Sequence, residues 1–169
     1  MAKVGDIVKV DNPMQQGYEY RLAAPMGLEF APGFEPVYSP KEMLKMGVFE
    51  GRYLNSALNE YPVDWFDEAK LATERDPNLN CFGVSCSQSL TEWRKKGWIF
   101  DLDPRGWFEW YCRYYLGRRH HEMDAIQVKR WRNFRRHAGQ VKAHCEPGDI
   151  WCRPRQRQAL LHWSYDPFI

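Results

Sequence analysis

Long apolar runs are missing from this sequence. Its opening, MAKVGDIVKVDNP, carries charges where a signal peptide would need Leu or Ala, and nothing later approaches the roughly 18 apolar residues of a spanning helix. A soluble intracellular protein with no membrane partner is therefore expected. Motifs that name a reaction are missing too: there is no Gly-rich phosphate loop, no H-E-x-x-H and no G-x-S-x-G. P-loop nucleotide hydrolysis, zincin proteolysis and α/β-hydrolase chemistry have no support, and no motif implies a cofactor. The cysteines are few, odd in number at five, and irregularly spaced. A chain of this size stands without staples, so reduced thiols are expected rather than a disulfide framework.

What the chain does have is an uneven distribution of charge. From Thr91 onward there are 16 Lys and Arg against 9 Asp and Glu, a net of +7, whereas residues 1–90 hold 8 against 13, a net of −5. The overall +2 conceals two opposed halves, and seven of the eight Trp lie in the basic one. Cations neutralise phosphates and rings offer stacking platforms, which is what a nucleic acid requires of its partner. Pairing between the two halves of the chain accounts for the same asymmetry without any partner. With 169 residues, 44% of them hydrophobic, the chain suits one core, so residues 1–169 are expected to form a single domain.

Within it, residues 1–38 read as a hairpin followed by an irregular wrap, and 39–169 as a helical body. KVGDIVKV (3–10) and YEYRL (18–22) flank the turn-prone DNPMQQG. Pro25, Pro32, Pro36 and Pro40 with Gly27 and Gly33 then punctuate the chain too heavily for a helix or a central strand, leaving Phe30 and Phe34 as anchors. From Ser39 the signals turn helical, with Ser39 as cap, Pro40 at the first helical position, Glu42 closing a capping box and Gly47 as stop. The grammar returns at Ser89–Glu92 with Gly97, and each block is followed by a P-x-x-W-F-acid frame, at 62–67 and 104–109. Two related helix-turn-helix units, about 39–75 and 89–119, are one account; convergence of helix starts on the same residues is the other. The helix after Asp103 and Pro104 spaces Trp107, Trp110, Tyr111, Tyr114 and Tyr115 as an aromatic stripe, and a further amphipathic helix is predicted over 124–141. Arg153-Pro154 opens the last one. The fold class is mainly α, a compact multi-helix domain with a short N-terminal β-hairpin.

Several constellations carry chemistry. Lys129, Arg132 and Arg136 share the outer face of the 124–141 helix, Arg118 and Arg119 with His120 and His121 follow a Gly stop, and Arg153 and Arg155 stand at the start of the last helix, ahead of Gln158 and His162. These seven cations form the expected phosphate-binding set, with Trp131, Trp151 or His162 available to bases. Arg155, Gln158 and His162 fall on one helical face, which suits either reading a base edge or hydrogen-bonding neighbouring loops. Cys86, in FGVSCSQS, is a candidate nucleophile with His162 as its base, in a pocket lined by Trp65 and Trp107 that takes a small anionic metabolite. Asp64, Asp67 and Glu68 are either an acid/base set or first-turn charges. His144, Cys145 and Cys152 are the soft-ligand candidates, but C-x6-C misses the usual zinc spacing and no metal is expected.

The blocks SPKEMLKMGVFEGRYL, FGVSCSQSLTEWRKKGW, DPRGWFEWYCRYYLGRR, KRWRNFRRH and CRPRQRQALLHWSYD, spanning Tyr20 to Asp166, resemble a conserved protein family. That resemblance implies membership and carries over no activity, fold or site residue. Nucleic-acid binding by the basic C-terminal helices is thus the leading expectation. A small-molecule enzyme using Cys86 and His162, and an adaptor docking an acidic protein surface, stand as alternatives.

Overall fold

The computed structural model describes residues 2–169. The expected hairpin is present as β1 (Ile7–Asn12) and β2 (Gln15–Arg21), antiparallel with Val10 opposite Tyr18 and a bulge after Val10. Its turn is tighter than the composition suggests, because the Asn12 side chain accepts hydrogen bonds from the Met14 and Gln15 N–H groups and closes the chain locally. The segment 23–38 is irregular, as its prolines require. Phe34 pins it, with its ring 5.1 to 5.9 Å from those of Trp131, Trp110, Tyr114 and Tyr111.

Five helices follow: α1 (Pro40–Met46), α2 (Leu90–Lys95), α3 (Trp107–Leu116), α4 (His121–His144) and α5 (Pro154–His162). α1 has the predicted capping box between Ser39 and Glu42, and Ser89 caps α2 through the Glu92 N–H. Helices and 3-10 turns together take 41% of the chain, less than a fully helical body would. The shortfall lies between α1 and α2, where Pro62 and Pro77 each allow only a single 3-10 turn, at Val63–Phe66 and Pro77–Leu79. The P-x-x-W-F frame at 62–67 therefore makes a turn, while its echo at 104–109 leads into α3. α3 itself starts later than predicted, at Trp107, because the Asp103 carboxylate turns inward to two arginines instead of capping a helix.

α3 runs through the interior, with nine of its ten residues buried, and one hydrophobic cluster joins it to the hairpin, the wrap, α1 and α4. Two of its buried residues are charged. Arg113 donates to Glu60 at 2.8 and 3.0 Å, to Asp103 at 2.8 Å, to the Leu102 carbonyl and to the Gln15 side chain. Glu109 receives Arg105, and Asp103 receives Arg118, so three guanidinium groups meet three carboxylates away from water. Buried ions on this scale are tolerated only when mutually paired and hydrogen-bonded.

Arg118 does not stand on the exposed basic turn that its neighbours in the sequence imply; it is 3% exposed and bidentate to Asp103 at 2.6 and 2.7 Å. Arg119 is likewise spoken for, lying 3.7 Å over the Tyr114 ring and donating to the carbonyls of Tyr114, Leu28 and Glu29. His120 caps α4 by accepting from the Met123 N–H, so the helix begins before the predicted Asp124. The thiol expectation also needs correction. Cys145 and Cys152 form a disulfide, because the end of α4 and the turn into α5 bring their Cα atoms within 5.8 Å. Among the described residues no helix is long and apolar enough to cross a membrane.

Candidate functional site

α4 sets up the first candidate surface. Met123, Val128, Trp131 and Val141 turn inward, and the helical period sends Lys129, Arg132 and Arg136 outward, where all three are exposed. Arg135, Arg153 and Arg155 are exposed beside them. Among the described residues none of these six cations has a carboxylate oxygen within 4.0 Å; the ion pairs involve other cations. Arg132 donates to the Pro32 carbonyl at 2.9 Å and Arg153 to the Gln156 side chain at 2.8 Å, neutral contacts that leave the charge uncompensated. Of the seven cations expected to meet phosphate, five thus stand outward and unpaired by acids, and Arg118 and Arg119 do not. The aromatic candidates divide similarly: Trp151 is exposed, whereas Trp131 and His162 are buried and cannot reach a base on the surface.

The second candidate is a cavity of about 580 Å³ between α2, α3, α4 and α5. Trp107, Cys86 and His162 line it, as the sequence suggests. Trp65 does not; it is buried elsewhere, stacked 5.4 Å from Tyr61. The Cys86 sulfur lies 3.6 Å from His162 Nδ1, but Ser87 Oγ is closer at 2.8 Å. On the other side of the imidazole, Nε2 faces the Phe49 backbone N–H at 3.1 Å and the Gln158 amide nitrogen at 3.0 Å. The Gln158 orientation is set by its neighbours, since its oxygen accepts from the Phe82 N–H and its nitrogen donates to the Gly47 carbonyl. Of the two readings of the Arg155, Gln158 and His162 face, Gln158 and His162 follow the one that ties loops together.

These contacts assign the tautomer. A backbone N–H can only donate, so Nε2 carries the lone pair and Nδ1 carries the proton, which it gives to Ser87. His162 therefore has no free lone pair directed at Cys86 or Ser87 and is not placed to act as their general base. Burial reinforces this. It draws the His162 pKa down to about 3 and pushes the Cys86 thiol up to about 12, so both are neutral at physiological pH. The pair that the sequence singles out is assembled, but as a hydrogen-bonded wall rather than an activated nucleophile. Ser87 is visible in the same FGVSCSQS segment and Gln158 on the same helical face four residues before His162, whereas the Phe49 contact has no local signal.

The remaining candidates have structural partners. Asp64 pairs with Lys41 at 2.9 Å and Glu68 with Lys45 at 2.6 Å on the open surface, so each of these two carboxylates is already held by a lysine. The disulfide withdraws both Cys145 and Cys152 from metal binding, and His144 Nδ1 is 2.8 Å from the Gln140 carbonyl. Among the described residues no group of three or more His, Cys, Asp and Glu side chains converges as a metal site would require. Compared with known proteins, the chain matches no family model, no curated protein and no solved structure.

Proposed function

We propose that this protein binds nucleic acid through the outward cations of α4 and the start of α5, with the phosphate backbone as the chief contact. The observation that carries this reading is the lack of internal compensation: among the described residues, Glu60 is committed to the buried network, Glu50, Asp64 and Glu68 face Arg75, Lys41 and Lys45, and no carboxylate oxygen lies within 4.0 Å of Lys129, Arg132, Arg135, Arg136, Arg153 or Arg155. An excess of unneutralised guanidinium groups on one helix attracts a polyanion and exchanges its condensed counterions for protein contacts. Trp151, exposed near Arg153, offers a ring for stacking.

Fluorescence anisotropy of labelled single- and double-stranded oligonucleotides, titrated between about 50 and about 200 mM salt, tests the reading. Affinity should fall log-linearly with salt. Replacing Arg132 and Arg136 together by Gln should reduce that slope by about two, one for each phosphate no longer neutralised. Salt-insensitive binding, or none to either strand type at low salt, would exclude it.

A further inference from the structure

The aromatic cavity shares Arg136 with the outward cations of α4 and is otherwise equipped for a ligand of its own. Its volume, about 580 Å³, falls in the range of roughly 300–1,000 Å³ typical of small-molecule sites. One side is a run of rings: Trp107 and Trp163 lie 4.6 Å apart between centroids, and Phe134 stacks on Trp163 at 4.9 Å and 16°. α2 and the loop after it contribute Trp93 and Trp98. Trp98 is 47% exposed yet held in place, its carbonyl accepting from Arg130 at 2.8 Å and the Lys96 ammonium sitting 4.8 Å over its ring.

The charged groups are of one sign, and Asn133 and His137 add neutral polar edges. No Asp or Glu lines the cavity, whereas Arg130 and Arg136 do, and neither has a carboxylate within 4.0 Å among the described residues. Gln88 uses its oxygen to accept from Lys96, which leaves its amide N–H groups for another acceptor. Ser87 accepts the His162 Nδ1 proton and so keeps its own O–H to donate; among the described residues no oxygen or nitrogen other than that ring is paired with it, and the adjacent Cys86 sulfur is a weak acceptor. The cavity thus offers flat apolar surfaces, donors at Ser87 and Gln88, and two uncompensated cations.

We propose that this cavity binds a nucleoside 5′-monophosphate, its heterocycle stacked among Trp98, Trp163 and Phe134, a ring acceptor on the Ser87 hydroxyl, and its phosphate at Arg130 and Arg136. A plain hydrocarbon would leave the Ser87 and Gln88 donors unmatched and the guanidinium groups without a counter-charge, and a free phosphate would leave the rings unused. The proposal does not rest on the α4 phosphate-backbone reading.

The full-length chain is titrated with AMP, GMP, CMP and UMP, with adenosine and inorganic phosphate as comparisons, by calorimetry and tryptophan fluorescence. At least one nucleotide should saturate and quench, and both comparisons should bind about ten-fold or more weakly. Trp98→Ala should weaken that nucleotide by about ten-fold, and Ser87→Ala by several-fold, with circular dichroism reporting whether each variant is folded. The same variants with an oligonucleotide separate a nucleotide within a strand from a free one, since Trp98→Ala weakens oligonucleotide binding only if the cavity takes a base from the strand. Saturation by none of the four at millimolar concentration, without a Trp98→Ala effect on the oligonucleotide, overturns the proposal, as does unchanged affinity in both variants. Oligonucleotide binding that survives these results keeps the α4 reading; nucleotide binding without oligonucleotide binding at low salt keeps only the cavity.

Discussion

His162 makes the stability of this fold depend on pH in a way that can be isolated. The imidazole is buried, stacked 4.1 Å from Phe49, and holds its neutral form through the Phe49 N–H, Gln158 and Ser87 contacts. Its folded pKa of about 3 lies below the unfolded value of 6.5, so the unfolded chain takes up the proton first. The contribution of neutral His162 is complete above pH 6.5 and is lost as the pH falls toward 3. At about 1.4 kcal/mol per pKa unit, the loss between pH 7 and pH 5 is about 2 kcal/mol. Urea unfolding of the native chain and of His162→Gln across that interval measures it, since other titrating groups cancel in the difference between the two slopes. The native chain should lose about 2 kcal/mol more than the variant, and nitrogen NMR should show Nδ1 protonated and Nε2 unprotonated throughout. Parallel curves, or an imidazole that titrates near pH 6.5 in the folded state, would refute both the tautomer assignment and the argument against Cys86 as an activated nucleophile.

Other consequences follow from the interior. Arg113→Leu removes five hydrogen bonds and leaves buried Glu60 without a cation, while Asp103 keeps Arg118 alone, which should cost about 3–5 kcal/mol. Calorimetry should show the Tm lower by about 10 °C, and a drop under about 3 °C would count against the network's role. Gly117 has φ 125°, and a Cβ there would sit 2.0 Å from the Ala24 carbonyl oxygen, so Gly117→Ala should cost more than about 3 kcal/mol or prevent folding. Gly139→Ala, on α4 with nothing within 4 Å of the added carbon, should instead stabilise by about 0.5–1 kcal/mol in the same denaturation assay. The Cys145–Cys152 bond closes a short loop, so Cys145→Ser or reduction by a thiol should cost about 2.5 kcal/mol; equal stability of the oxidised and reduced chains would contradict the loop-closure argument.

Much of the local structure is legible in the sequence because its causes are local. Ser39 and Ser89 cap the helices they precede, Pro154 opens α5, and the 3.6-residue spacing of Val128, Trp131 and Val141 marks the inner side of α4. Phe34 anchors the wrap with Phe30 packed 5.6 Å from it, as two rings among prolines suggest. The stretch between α1 and α2 is less helical than its helix-start residues imply, because no apolar face long enough to hold a helix against its prolines follows them.

The sequence by itself determined the hairpin, the capped helix starts, the inward face of α4 and the outward position of Lys129, Arg132 and Arg136, since all of these depend on neighbours within a turn or two. Only the tertiary structure decided which arginines keep their charge for an outside anion. Arg113 and Arg118 look no different in the sequence from Arg132, yet Asp103 and Glu60, the latter 53 residues distant from Arg113, reach the first two and not the third. The same holds for His162, whose proton sits on Nδ1 because a backbone N–H from Phe49, 113 residues away, takes the lone pair of Nε2. Electrostatic partners and tautomers are set by distance in space, and charge counts and spacing along the chain do not contain that distance.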